Sequence, residues 1–189
     1  MGYLLGLSRL IDTFNRGVAS VAIWCCLAMI VVSFGNASLR RLGRSIGENL
    51  TWGTALDLQW VLFSMMFLLV GGYTILTDSN VRVDIVHARL GKKTRSAIEV
   101  FGAVCFMLPF SLLVIYMSWP MVANAIAVWE RSTLPGGISP WAIKPLVPIA
   151  FVLVLLQSVS HAIKHTAFML GRGPDPHEPD SRKTLSEAD

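Results

Sequence analysis

The stretch that decides the fold is LQWVLFSMMFLLVGGYTILT, residues 58–77, which contains no Asp, Glu, Lys or Arg. As a helix rising about 1.5 Å per residue, these 20 residues span about 30 Å, the thickness of the hydrocarbon core of a bilayer. Three further runs without those four residue types cover residues 18–35, 100–129 and 145–160. The last run reaches spanning length once its apolar flanks are included. The sequence therefore predicts an all-α integral membrane protein with four transmembrane helices.

Composition favours a single small membrane domain over residues 18–165. The chain of 189 residues is 53% hydrophobic and 15% charged, with a mean hydropathy of +0.58, which leaves little polar surface for a water-soluble domain. We expect the spans at about 18–36, 58–77, 97–119 and 141–164. The third run would be about 45 Å long as one helix, which exceeds the bilayer core, so we expect that span to end near Trp119 and Pro120.

The distribution of basic residues predicts the orientation of the chain. With both termini in the cytoplasm, the cytoplasmic segments carry 11 Lys and Arg residues and the opposite segments carry five. This is the direction of the positive-inside rule. The net charge of +4 follows from the same bias, and we expect no nucleic-acid binding because no basic face is interleaved with exposed aromatic residues.

Three segments outside the spans have their own predicted states. Residues 1–17 repeat leucine at helical spacing ahead of Arg16, which predicts a short amphipathic helix lying at the cytoplasmic interface. Residues 36–57 mix apolar side chains with Arg40, Arg41 and Arg44, which suits contact with membrane phospholipids. Residues 166–189 are rich in Pro, Asp, Glu and Ser and predict a disordered cytoplasmic tail.

The spans offer little chemistry. His161 and His165 are four residues apart, a spacing that can hold a metal, but a haem site also needs a histidine on a facing helix. We therefore expect no cofactor, no metal site and no catalytic residue, and the protein is not predicted to be an enzyme. An ion-coupled carrier normally keeps ionisable groups inside its spans. Because these runs contain no Asp, Glu, Lys or Arg, the sequence favours a subunit of a larger complex. A membrane anchor of a redox complex and an independent four-span transporter remain as alternatives.

A series of residues along the chain resembles one family of membrane proteins. The series runs through Asn36, Arg40, Trp52, Gln59, Trp60, Gly71, Gly72, Tyr73, Val81, Arg82, Val83, Asp84, Leu108, Pro109, Phe110, Ser118, Trp119, Pro120, Pro135, Gly136, Gly137, Lys144, Pro148 and Gln157. In order and spacing it is similar to the small, DctQ-type membrane subunit of tripartite ATP-independent periplasmic (TRAP) transporters. The chain departs from many members near the start of the second span, where Asp57 and Gln59 stand in the region of a glutamate.

The resemblance implies a bacterial inner-membrane complex for uptake of an organic acid. In such a complex a periplasmic binding protein delivers the solute to a large subunit, which moves it with sodium ions by an elevator motion. The small subunit would scaffold that large subunit. Similarity to the branch of the family that carries the Val81 to Asp84 motif weakly favours oxo or hydroxy acids as substrates.

The resemblance also suggests roles for particular residues. We expect contacts with the large permease subunit from Asn36, Arg40, Trp52, Gln59, Trp60, Gly71 and Gly72. Arg82 and Asp84 are expected to fix the cytoplasmic turn between the second and third spans. The segment expected to face the binding protein contains Glu130, Arg131, Pro135, Gly136 and Gly137.

Overall fold

A computed structural model describes residues 2–48, 50, 53–79, 91–131 and 138–171. Within these ranges all regular structure is helical. The helices are α1 (Gly2–Ile46), α2 (Thr54–Leu76), α3 (Lys92–Gly102), α4 (Leu108–Ala127) and α5 (Leu146–Met169), with a π-helical turn at Ala103–Met107 and a 3₁₀ turn at Pro140–Ala142. Four segments are long and apolar enough to cross a membrane, namely Tyr3–Ile46, Thr54–Leu76, Lys92–Ala127 and Pro140–Met169. The prediction of an all-α chain with four such helices is confirmed.

Helix α5 is the centre of the bundle. It packs against all the other helices, with α1 and α2 in contact on one side and the α3–α4 rod on the other. The buried apolar cluster is small and consists of Ala22, Leu69 and Leu153 from α1, α2 and α5. Large aromatic side chains such as Phe34 and Trp60 lie outside, more than three-quarters exposed. This arrangement suits a lipid bilayer. Because lipid tails are as apolar as leucine, the hydrophobic effect does not bring helices together there, and they associate through small and polar residues.

The first helix differs from the prediction. We expected residues 1–17 to form a separate interfacial helix, but α1 continues without a break through Arg16 and Gly17 and ends at Ile46. Its 45 residues make a rod about 67 Å long, roughly twice the bilayer core. The physical reason is packing: Ser8, Ile11 and Asn15 are buried, and the two polar side chains bond to α5. That side of the helix is held against the bundle.

The third span also extends beyond its predicted end. Helix α4 passes through Pro120 and ends at Ala127, so the chain is helical from Lys92 to Ala127. Pro120 costs one backbone hydrogen bond, which helices in apolar surroundings tolerate. The π-helical turn at Ala103–Met107 ends two residues before Pro109, and such wide turns accommodate the missing N–H and the ring of a proline.

The chain runs up and down through the bundle. Contacts join the early part of α1 to the late parts of α2 and α5, and the early part of α3 to the late part of α5. One end of the bundle therefore carries Gly2, Leu76, Lys92 and Met169, and we name it the amino-terminal end. The opposite end carries the connection between Ala127 and Leu146, and we name it the loop end.

Candidate functional site at the two ends of the bundle

A polar network joins α1 to α5 near the amino-terminal end. Its members are Ser8, Asp12 and Asn15 on α1 and Gln157, Ser160 and Lys164 on α5. Residues at positions i, i+4 and i+7 of a helix lie on one face, as do those at i, i+3 and i+7. Each trio therefore forms a polar stripe, and the two stripes face each other.

The amides and the carboxylate of the network are closely connected. The Asn15 Nδ2 atom donates to Gln157 Oε1 at 2.8 Å, and Gln157 Nε2 donates to Asp12 Oδ1 at 3.0 Å. Asn15 and Gln157 are each only 1% exposed. Such buried amides are costly unless they are hydrogen-bonded, so these bonds fix the register of α1 against α5.

Asp12 is the anionic centre of the network. Ser160 Oγ donates to Asp12 Oδ1 at 2.9 Å, and Lys164 forms an ion pair with the other carboxylate oxygen. The hydroxyls of Ser8 and Ser160 lie 2.7 Å apart and share a hydrogen bond. The carboxylate of Asp12 thus has an amide, a hydroxyl and an ammonium as donors, all from α5. Its charge is neutralised locally by Lys164.

Gly72 lets α2 approach this network. A Cβ atom at Gly72 would lie 2.4 Å from Asn15 Oδ1 and 3.3 Å from the carbonyl oxygen of Leu153. The neighbouring Gly71 faces α5, where a Cβ would lie 3.2 Å from Val154 Cγ2. We expected both glycines in the interface with a large subunit. In the structure their close contacts are made inside this chain, because three helices converge there.

A second contact between ionisable side chains ties α3 to α5 at the same end. His161 Nε2 lies 3.4 Å from Glu99 Oε2, and both side chains are mostly buried. The rings of His161 and His165 lie 4.3 Å apart between centroids. Among the described residues, no group of three or more His, Cys, Asp and Glu side chains is placed to hold a metal. The geometry gives His161 a carboxylate partner on the neighbouring helix.

The loop end has its own set of fixed contacts. The rings of Trp129 and Trp141 meet edge to face with centroids 5.1 Å apart, and Glu130 forms an ion pair with Lys144. Asp57, in the first turns of α2, accepts a hydrogen bond from the backbone N–H of Ile138 at 3.1 Å. These three contacts hold the described parts of the α4–α5 connection to one another and to α2.

The residues singled out by sequence fall into three groups. Arg40, Trp60 and Arg131 are exposed, and Gln59 and Glu130 are half-buried. Gly71 is half-buried, and Asn36 and Gly72 are buried among the helices of this chain. The remaining predicted site residues, Trp52, Arg82, Asp84, Pro135, Gly136 and Gly137, lie outside the described residues.

Sequence reasoning missed Asp12, Glu99 and Lys164 as partners of the bundle interior. All three lie just outside the apolar runs, so counting charges within the runs does not detect them. Asp12 and Lys164 could have been found from the helical spacing of polar residues, because Asp12 shares one face of α1 with Ser8 and Asn15, and Lys164 shares one face of α5 with Gln157 and Ser160. Glu99 was not singled out by such a stripe. Its contact with His161, 62 residues away, is visible only in the structure.

The comparison with known families agrees with this architecture. The family model described as "Tripartite ATP-independent periplasmic transporters, DctQ component" matches residues 29–167, well over half of the chain. The chain therefore belongs to the DctQ family, a family of transporter components, and the resemblance seen in the sequence is confirmed. Neither a curated protein nor a solved structure matches the chain.

Proposed function

We propose that this chain is the scaffolding small subunit of a TRAP transporter, which braces a large sodium-coupled permease subunit. Membership of the DctQ family supports a role within a tripartite transporter. In this role the chain binds no solute. It widens the fixed part of the complex in the bilayer, against which the transport domain of the large subunit moves.

The position of the ionisable side chains is the observation that carries this proposal. The pairs Asp12–Lys164 and Glu99–His161 lie at the amino-terminal end, and Asp57 lies at the loop end. The apolar runs between these ends contain no Asp, Glu, Lys or Arg. Because the ionisable side chains named here are used in helix–helix and helix–loop contacts, they serve the rigidity of the bundle. Solute coupling would need such groups along a path through the membrane.

The exposed surface of the α1–α2 half suits a second membrane subunit. Trp60 is 78% exposed on α2, and Arg40 is exposed near the end of α1. Together with the half-buried Gln59, they place aromatic, cationic and amide groups on one half of the bundle. Aromatic residues and arginine are enriched at protein interfaces. We assign the large-subunit contact to this half, with Trp52 as a further member.

The bias of basic residues supports the sidedness of the proposal. With the amino-terminal end in the cytoplasm of a bacterial inner membrane, the loop end faces the periplasm. The loop-end residues Glu130 and Arg131 then meet the periplasmic binding protein that brings the organic acid, and the following Pro135, Gly136 and Gly137 belong to the same connection. Arg82 and Asp84 would fix the cytoplasmic turn.

Affinity purification of the tagged chain from its native membrane tests this function. Co-purification of a much longer polytopic subunit is the expected result, because a scaffold is isolated with the subunit it braces. Recovery of the chain as a lone homo-oligomer would contradict the proposal. A Soret absorption band in the purified material would instead indicate a redox anchor.

A further inference from the structure

We propose that Asp57 is a positioning residue that sets the loop-end connection relative to the α1–α2 half of the bundle. The inference rests on the proposed function, in which the α1–α2 half binds the large subunit and Glu130 and Arg131 meet the binding protein. In this inference, the side chain of Asp57 keeps the surface that binds the large subunit and the surface that meets the binding protein in a fixed position relative to each other.

The packing of the bundle makes such a connection necessary. Helix α5 separates the α1–α2 pair from the α3–α4 rod, and the loop-end connection leaves from α4. Two of its contacts, Trp129–Trp141 and Glu130–Lys144, join its own two ends to each other. These two contacts close the connection at its ends, and neither of them involves α2.

Asp57 supplies the contact that reaches across. Its carboxylate lies on α2, and its partner, the N–H of Ile138, is 81 residues away in sequence. Ile138 lies two residues before the 3₁₀ turn at Pro140–Ala142, whose N-cap is Ser139, so the bond holds the chain close to the point where it turns back towards α5. A carboxylate is an effective acceptor for a backbone N–H because the bond is charge-assisted.

Removal of either partner tests this inference in the intact complex. The variants are Asp57→Ala, which removes the acceptor, Ile138→Pro, which removes the donor, and their combination. Asp57→Asn keeps an acceptor oxygen, and Glu48→Gln is the matched control, since Glu48 is an exposed acidic residue between α1 and α2. Each complex is purified in nanodiscs, and binding of the transporter's own periplasmic binding protein is measured together with the yield of the large subunit.

We expect Asp57→Ala and Ile138→Pro each to weaken binding by on the order of tenfold, because each removes the charge-assisted hydrogen bond between α2 and the connection. The double variant should weaken it no further, because both changes remove the same bond. Asp57→Asn and Glu48→Gln should stay within about twofold of the unchanged complex. The yield of the large subunit should be the same in all of them, since its contact surface is unaltered.

Three results would overturn the inference. Unchanged binding by Asp57→Ala would show that the carboxylate positions nothing. Additive losses in the double variant would show that the two residues act separately. Loss of the large subunit from the Asp57→Ala complex would make Asp57 an assembly residue. Arg131→Glu separates this inference from the proposed function: if that variant binds the binding protein normally, the assigned docking surface itself is wrong, whatever Asp57 does.

Discussion

Asn15 and Gln157 join α1 to α5 through an amide–amide hydrogen bond of 2.8 Å, formed where Gly72 of α2 lies against both helices. Gln157 acts in two directions, because its carbonyl oxygen accepts from Asn15 and its amide donates to Asp12. One side chain therefore connects the amide part of the network to its ion pair. In an apolar bundle with a small buried core, such bonds determine which helix faces meet.

Replacing Gln157 by leucine is expected to destabilise the bundle. The change leaves the buried Asn15 amide without its Gln157 acceptor and removes one of the three donors to Asp12, which costs about 1–3 kcal/mol. Thermal unfolding in detergent, followed by loss of the monodisperse peak in size-exclusion chromatography, measures the effect. Asn124→Leu is the control, because Asn124 is exposed. Equal stability of the two variants would show that the network is dispensable.

A double-mutant cycle on Asp12 and Lys164 should reveal strong coupling. Asp12→Ala leaves the Lys164 ammonium partly buried without its counter-ion, and Lys164→Ala leaves the carboxylate in the same state. Each substitution should therefore lower the free energy of unfolding more in the unchanged protein than in the variant that already lacks the other partner. We expect a coupling free energy of about 1–2 kcal/mol, reduced from that of a buried pair because both groups retain some exposure. Additive effects in chemical denaturation would contradict the pairing.

Gly72→Ala is expected to be destabilising by about 1–3 kcal/mol, because the new methyl group would overlap Asn15 Oδ1. Gly17→Ala is the matched control. Gly17 lies inside a helix with no atom within 4 Å of the added Cβ, so alanine there should be neutral or slightly stabilising. Thermal stability of the two variants measured side by side checks the prediction. A neutral Gly72→Ala would mean that α2 does not approach α1 as closely as described.

At the loop end, Glu130→Lys should weaken docking of the binding protein, because it places like charges together at Glu130 and Lys144. The exchanged pair, Glu130→Lys with Lys144→Glu, restores the attraction and should recover part of the loss. Both side chains are about one-third exposed, so the effect of the ion pair itself should stay below about 1 kcal/mol. Binding measurements on the three purified complexes test this. A double variant that binds more weakly than the single variant would rule out the pair as the cause.

The number of helices long and apolar enough to cross a membrane was predictable, because uncharged runs of about 20 residues match the thickness of the bilayer core. The ends of the helices were less predictable. By composition, Arg16 and Gly17 predict the end of an interfacial helix, yet Ser8 and Asn15 pack on α5 and keep α1 continuous. Similarly, Pro120 predicts the end of a helix, but α4 continues through it to Ala127. Local sequence cannot report contacts with a helix that follows more than a hundred residues later.

The same limit applies to the site. Asp12 and Lys164 look like ordinary flanking charges of two spans, and their pairing follows only from the antiparallel approach of α1 and α5. Asp57 stands out in sequence as a departure from the usual glutamate, but its acceptor role requires knowing where Ile138 lies. The glycine pair was recognised as a close-packing element. Its partner helix was not predictable, since glycines suit contacts within and between subunits equally.

Reconstitution into proteoliposomes tests the central claim most directly. Vesicles containing this chain alone, and vesicles containing the complete complex with its binding protein, are given an inward sodium gradient and labelled organic acids. The scaffold account predicts accumulation only in vesicles with the complete complex. Accumulation by vesicles that contain this chain alone would contradict it.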